Sequence, residues 1–96
     1  MVDIRRTDEF DKWLPKLRDA RARAKILVRI TRLSLGNPGD VQPVGEGVSE
    51  MRIDYGPGYR VYYTDRGGKL IVLLVGGDKS SQERDIAKAK ELARGL

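Results

Sequence analysis

The chain contains no cysteine and no histidine. Without cysteine there can be no disulfide, thiolate nucleophile or cysteine metal site. Without histidine the commonest general base and the commonest transition-metal ligand are missing. Any catalysis must then use carboxylate, lysine, tyrosine, arginine or the backbone. Long apolar runs are also lacking: the longest, Leu70 to Val75, falls far short of the roughly 20 residues a membrane span needs. The N-terminal Met-Val-Asp-Ile-Arg-Arg has no apolar signal core, so the expected location is cytoplasmic, with no membrane partner. There is no internal repeat or low-complexity stretch, and 96 residues suit one domain, 1–96, with a small core and an exposed site.

What is present is positive charge. The formal net charge is +5, which suits a polyanion such as RNA or DNA, or an acidic protein. Arg18, Arg21, Arg23, Lys25, Arg29 and Arg32 fall in one short stretch. Lys25, Arg29 and Arg32 are therefore candidate RNA contacts. A merely basic, well-solvated surface would show the same bias.

Periodicity predicts an α+β order. Val2 to Arg5 reads as a short strand. Thr7 can cap a helix bearing Phe10, Trp13, Leu14 and Leu17, which Pro15 should kink or end. Asp19 can cap a second helix to about Leu35, with Ala22, Ile26, Ile30 and Leu33 as its apolar stripe and Leu27 widening it. Gly36-Asn37-Pro38 stops it. Asp40 to Val44 is a short strand or loop. Val48 to Asp54 and Tyr59 to Thr64 alternate around Tyr55-Gly56-Pro57-Gly58 and form a hairpin. Lys69 to Val75 is apolar throughout, as a central strand would be. Ser80 and Glu83 form a capping box for a last helix whose narrow apolar face is Ile86, Ala89 and Ala93. The expectation is a three- to four-stranded antiparallel sheet with helices packed on it.

Two segments carry chemistry. On the hairpin, strand alternation puts Glu50, Arg52, Arg60 and Tyr62 on one face, expected to be open. A carboxylate can accept a proton from a 2′-hydroxyl, an arginine can hold a phosphate while charge builds on it, and a tyrosine can stack on a base. Glu50, Arg52 and Arg60 are thus candidate catalytic residues and Tyr62 a candidate RNA contact. The same residues would also serve as cross-strand charge pairs on a solvated sheet face. In the second segment, Gly76-Gly77-Asp78-Lys79-Ser80-Ser81 follows a strand and opens a helix, the setting of an anion site. A tight strand-to-helix turn would use the same residues. The Walker A spacing is missing. Lys79 is a candidate for stabilising a phosphate or acting as general acid.

Glu50 to Tyr63 (EMRIDYGPGYRVYY) and Gly76 to Lys90 (GGDKSSQERDIAKAK) resemble the RelE/ParE toxin superfamily. More narrowly they resemble its addiction module killer protein branch, also called phage Gp49-like or HigB-like. The likeness runs from about Phe10 to Ala93. It implies the toxin of a type II toxin–antitoxin pair, with a separate antitoxin partner and no cofactor. It further implies a metal-independent endoribonuclease acting on messenger RNA at the ribosome. Arg60 matches the arginine that contacts the scissile phosphate, Arg52 a basic position on the preceding strand, and Glu50 the region where some relatives keep a catalytic carboxylate. Where many RNA-cutting relatives carry histidine or tyrosine, this chain reads Gly77-Asp78-Lys79, so Asp78 and Lys79 stand as substitutes. ParE-like members bind DNA gyrase without cutting RNA, and that alternative stays open beside a plain nucleic-acid-binding module.

Overall fold

A computed structural model describes residues 2–96. The elements are β1 (Asp3–Arg6), α1 (Asp8–Lys16), α2 (Ala20–Ser34), β2 (Val41–Gly45), β3 (Val48–Ile53), β4 (Tyr59–Arg66), β5 (Leu70–Asp78), a 3-10 turn (Lys79–Ser81) and α3 (Gln82–Arg94). The α+β architecture is the one expected from the sequence. The sheet is larger than expected, with five strands in the order β1-β5-β4-β3-β2. It is also mixed, because β1 runs parallel to β5 in the register Asp3↔Leu70. That pairing joins the first strand to the last, so no local hairpin signal announces it.

Local chemistry explains most boundaries. The Thr7 hydroxyl accepts from the Phe10 N–H and donates to the Leu74 carbonyl, so one side chain caps α1 and ties it to β5. Asp19 accepts from the N–H groups of Arg21 and Ala22 and starts α2. Pro15 sits in the last turn of α1, which stops at Lys16.

The sheet is covered on both faces. On one side α1 and α2 bury Phe10, Leu14, Ile26 and Ile30 against Met51, Val61, Tyr63 and Leu73. Leu27 does not widen this stripe; its side faces solvent at 41 % exposure. On the other side α3 packs Ala89, with Ile86 and Leu92, over Val48, Tyr62, Leu74 and Val75. A register shift between Tyr62 and Tyr63 leaves Leu74 as an extra residue in β5. Such a bulge lets Leu74 and Val75 both reach the α3 side.

The β5–α3 junction differs from its sequence expectation in two ways. Gly76 and Gly77 are not a phosphate-cradling loop; they belong to β5, paired with Val61 and Arg60. A Cβ on Gly76 would collide with the Trp13 ring, and one on Gly77 with the Asp85 carboxylate. Their glycine identity answers to close packing on both faces of the strand. The Ser80/Glu83 capping box also does not form. Ser80 lies inside the 3-10 turn, which Asp78 caps, and Ser81 at the start of α3 makes no side-chain cap. Its hydroxyl is turned to Asp85 Oδ2 at 2.5 Å.

Candidate functional site: an arginine pair on a buried carboxylate

The β3–β4 register sets Glu50 opposite Tyr62 and Arg52 opposite Arg60. Two arginines facing each other across a ladder repel. The carboxylate of Glu50 lies between them. Its Oε1 accepts from Arg52 Nε at 2.8 Å, and Arg60 Nε lies 3.6 Å from its Oε2.

The face that carries these residues is not open. Helix α3 crosses it, and both Glu50 and Tyr62 have zero exposure. Tyr62 is therefore not available to stack on a base. Its hydroxyl donates to Glu50 Oε2 at 3.1 Å. Burial and the Glu50 charge push the Tyr62 phenol far above its ordinary range, so it stays protonated. Glu50 also receives the side-chain amides of Gln82 on α3 (2.9 Å) and Gln42 on β2 (3.4 Å). Burial alone would raise its pKa. Hydrogen bonds from Arg52, Gln82 and Tyr62, together with the Arg60 charge, outweigh that and hold it below the ordinary 4.5. A carboxylate so stabilised and so fully engaged is a weak proton acceptor.

Beyond Glu50 the arginines reach an accessible surface. Arg52 and Arg60 share a cavity of about 280 Å³ with Lys79, Asp40, Asp54, Gly58 and Tyr59. Arg60 Nη1 donates to the Gly58 carbonyl at 3.1 Å. Gly58 has φ of +82°, a conformation that suits glycine and lets the hairpin turn back tightly along the cavity. Arg52 keeps 38 % of its side chain exposed and Arg60 12 %. So Arg52, Arg60 and Lys79, arriving from β3, β4 and the β5–α3 junction, converge on one opening.

The α2 cations lie next door. Lys25, Arg29 and Arg32, with Arg21, line a cavity of about 470 Å³ that shares Ile53 and Asp54 with the first. They are not equivalent. Arg29 is largely committed to backbone: it donates to the carbonyls of Arg52 (2.6 Å), Pro38 (3.1 Å) and Asp40 (3.4 Å). It fastens α2 to the end of β3 and the lead into β2. Lys25 lies over the Tyr55 ring, 5.2 Å from its centre. Asp78 lines neither cavity. The Ser80 hydroxyl and the Ser80 and Ser81 N–H groups, helped by the Arg60 charge, hold it below the ordinary carboxylate range despite some burial. It therefore acts as the cap of the turn that carries Lys79.

Sequence reasoning missed the two glutamines that reach Glu50, because their pairing spans separate elements and amide side chains carry no local pattern. It placed Asp54 at the end of the first hairpin strand and Asp40 at the start of the segment before the hairpin without assigning either a role, yet both line the arginine cavity. Among the described residues, no group of acidic side chains is arranged to hold a metal, and no helix is long and apolar enough to cross a membrane.

Comparison with known proteins adds two findings. The family described as phage derived protein Gp49-like matches residues 12–94. An uncharacterized protein of Haemophilus influenzae is 53 % identical over 95 residues, which cover 99 % of this chain and 96 % of that protein.

Proposed function

The chain belongs to the phage-derived Gp49-like family, the Gp49/HigB-like addiction-module killer branch of the RelE-like toxins, and we propose that within that toxin kind it is a metal-independent, ribosome-associated messenger RNA endoribonuclease. The observation that carries this reading is the convergence of Arg52, Arg60 and Lys79 on one small cavity beside a basic groove. Its partners on this reading are messenger RNA at the ribosome and a cognate antitoxin, and its place of action is the cytoplasm.

The chemistry divides among the residues of this cavity and those that support it. The 2′-oxygen of the nucleotide attacks the adjacent phosphorus, the bond to the 5′-oxygen breaks, and a 2′,3′-cyclic phosphate forms. Arg52 and Arg60 hold the phosphate and meet the charge that builds on its oxygens. Asp54 or Asp40 on the cavity wall takes the 2′-hydroxyl proton, a role for which they are better exposed than Glu50. Lys79 returns a proton to the departing 5′-oxygen. Glu50 fixes the arginines and Tyr62 fixes Glu50. The groove along α2, through Arg32 and Lys25, guides the flanking nucleotides.

A second reading has one observation in its favour. The carboxylate on the hairpin is sealed under α3, and the chain has no histidine to replace it; a non-catalytic toxin that binds DNA gyrase needs neither. Induced expression without an antitoxin, followed by mapping of messenger RNA 5′ ends, separates the two. Growth arrest with codon-phased cuts that vanish in Arg60→Ala supports the nuclease. Arrest with intact messenger RNA overturns it in favour of a gyrase-type target, and absence of arrest overturns both.

A further inference from the structure

Arg60 has a buried Nε with no hydrogen-bond partner, yet it stands only 3.6 Å from Glu50 Oε2. A guanidinium and a carboxylate that close would ordinarily draw together to about 2.7–2.9 Å. The reason they do not is occupancy. An ionised carboxylate offers about four acceptor positions. Four other donors already fill them: Arg52 Nε at 2.8 Å and Gln42 Nε2 at 3.4 Å on Oε1, Tyr62 Oη at 3.1 Å and Gln82 Nε2 at 2.9 Å on Oε2. The two groups on Oε2 are neutral. They saturate the oxygen without cancelling its charge, and Arg60 is held beside it in a long ion contact without a hydrogen bond.

We propose that Gln82 is a positioning residue which, by occupying Oε2 of Glu50 with a neutral donor, keeps the long Arg60–Glu50 ion contact from closing into a hydrogen-bonded pair and so leaves the Arg60 guanidinium available to an RNA phosphate in the cavity. An arginine drawn onto a carboxylate through Nε, as Arg52 is, keeps only its Nη groups for a phosphate and is anchored toward the carboxylate. One that is merely nearby is not so anchored. The glutamine arrives from α3, the layer packed over the sheet, whereas both arginines come from the hairpin. Docking of α3 thus reaches the phosphate site through a single amide. The inference deepens the nuclease reading and rests on Arg60 as the phosphate contact.

The test uses the full chain carrying Gln82→Met, which keeps the side-chain length and removes the donor, with Tyr62→Phe as a second variant that removes the other neutral donor on Oε2. Two quantities are read: the Arg60 Nε–Hε resonance by nitrogen-15 NMR, and the affinity for a short 2′-O-methyl single-stranded RNA by fluorescence anisotropy. The expected result is a downfield Arg60 Hε in both variants, as it closes on Oε2, together with RNA affinity about three- to tenfold weaker, the range one net hydrogen bond covers. An Arg60 Hε unmoved in both folded variants overturns the inference, and so does a moved Hε with unchanged affinity where Arg60→Ala itself weakens binding. If Arg60→Ala binds RNA as well as the parent does, the phosphate-contact reading fails instead, and the Hε shift alone then decides whether Gln82 keeps Arg60 and Glu50 apart.

Discussion

The Gln82 amide at the start of α3 donates to Oε2 of Glu50 at 2.9 Å, across 32 residues of sequence. It is the polar link between the α3 layer and a carboxylate that also receives Arg52 and Tyr62. Glu50 is thereby a structural centre for the candidate site, and its removal should show first in stability. Glu50→Ala would strand two arginines beside a void and leave a buried hydroxyl without a partner. We expect a loss of about 3–5 kcal/mol, measured by urea unfolding. A loss below about 1 kcal/mol would mean the network is dispensable.

Acidification should have a defined direction. Glu50 is held below its ordinary value of 4.5 when folded, so the folded state binds its proton less readily than the unfolded chain does. The stability it contributes is fully present above pH 4.5 and is lost as pH falls through the lower folded value. Asp19 and Asp78 are shifted the same way and add to the slope. Urea midpoints between neutral and acid pH should drop below that point, and Glu50→Gln should flatten the drop. Equal slopes in the two proteins would contradict the assignment.

The β5 glycines should tolerate no side chain. A methyl group at Gly76 meets the Trp13 ring and at Gly77 the Asp85 carboxylate. Gly76→Ala and Gly77→Ala should each cost about 1–3 kcal/mol, as overpacking does. Thermal melts of the two variants test this, and the Gly77 change should also disturb the Ser81–Asp85 contact at the start of α3.

Cleavage should depend on Arg60 and Lys79 in different ways. Arg60→Ala should lower the rate of messenger RNA cutting about 10²- to 10³-fold, as loss of one preorganised charge does, with little change in folding. Lys79→Ala should lower it too, and a leaving group that needs no proton should restore the rate in that variant alone. Equal rescue of the Arg60 variant would place the proton donor elsewhere.

Arg29 and Arg32, three residues apart on α2, should part company. Arg29 serves three backbone carbonyls, so Arg29→Ala should cost about 1–3 kcal/mol of stability. Arg32 lines the same groove; its backbone carbonyl accepts from Leu35 and Asn37, and among the described residues its side chain makes no hydrogen bond or ion pair. Arg32→Ala should leave the melting temperature in place and reduce the salt dependence of RNA binding by about one unit of slope. Thermal melts and salt titrations, run side by side, separate the two roles.

The amino-acid sequence by itself determined the elements and most of their inward faces. Thr7 and Asp19 start the first two helices by capping chemistry that acts within three residues. The alternation from Val48 to Thr64 put Glu50, Arg52, Arg60 and Tyr62 on one face, and the hairpin register then set Glu50 against Tyr62 and Arg52 against Arg60. The absence of cysteine and histidine narrowed the chemistry before any geometry was known. Only the tertiary structure decided which side of that hairpin met water. The polar set looked solvent-facing because charge and hydroxyl groups usually are, but α3 folds back over it and its glutamine helps to satisfy the buried carboxylate. The parallel pairing of β1 with β5 and the packing role of Gly76 and Gly77 were likewise hidden. Capping, alternation and turn chemistry are local and leave a trace in neighbouring residues, whereas a side chain's burial is set by whatever distant segment comes to lie against it.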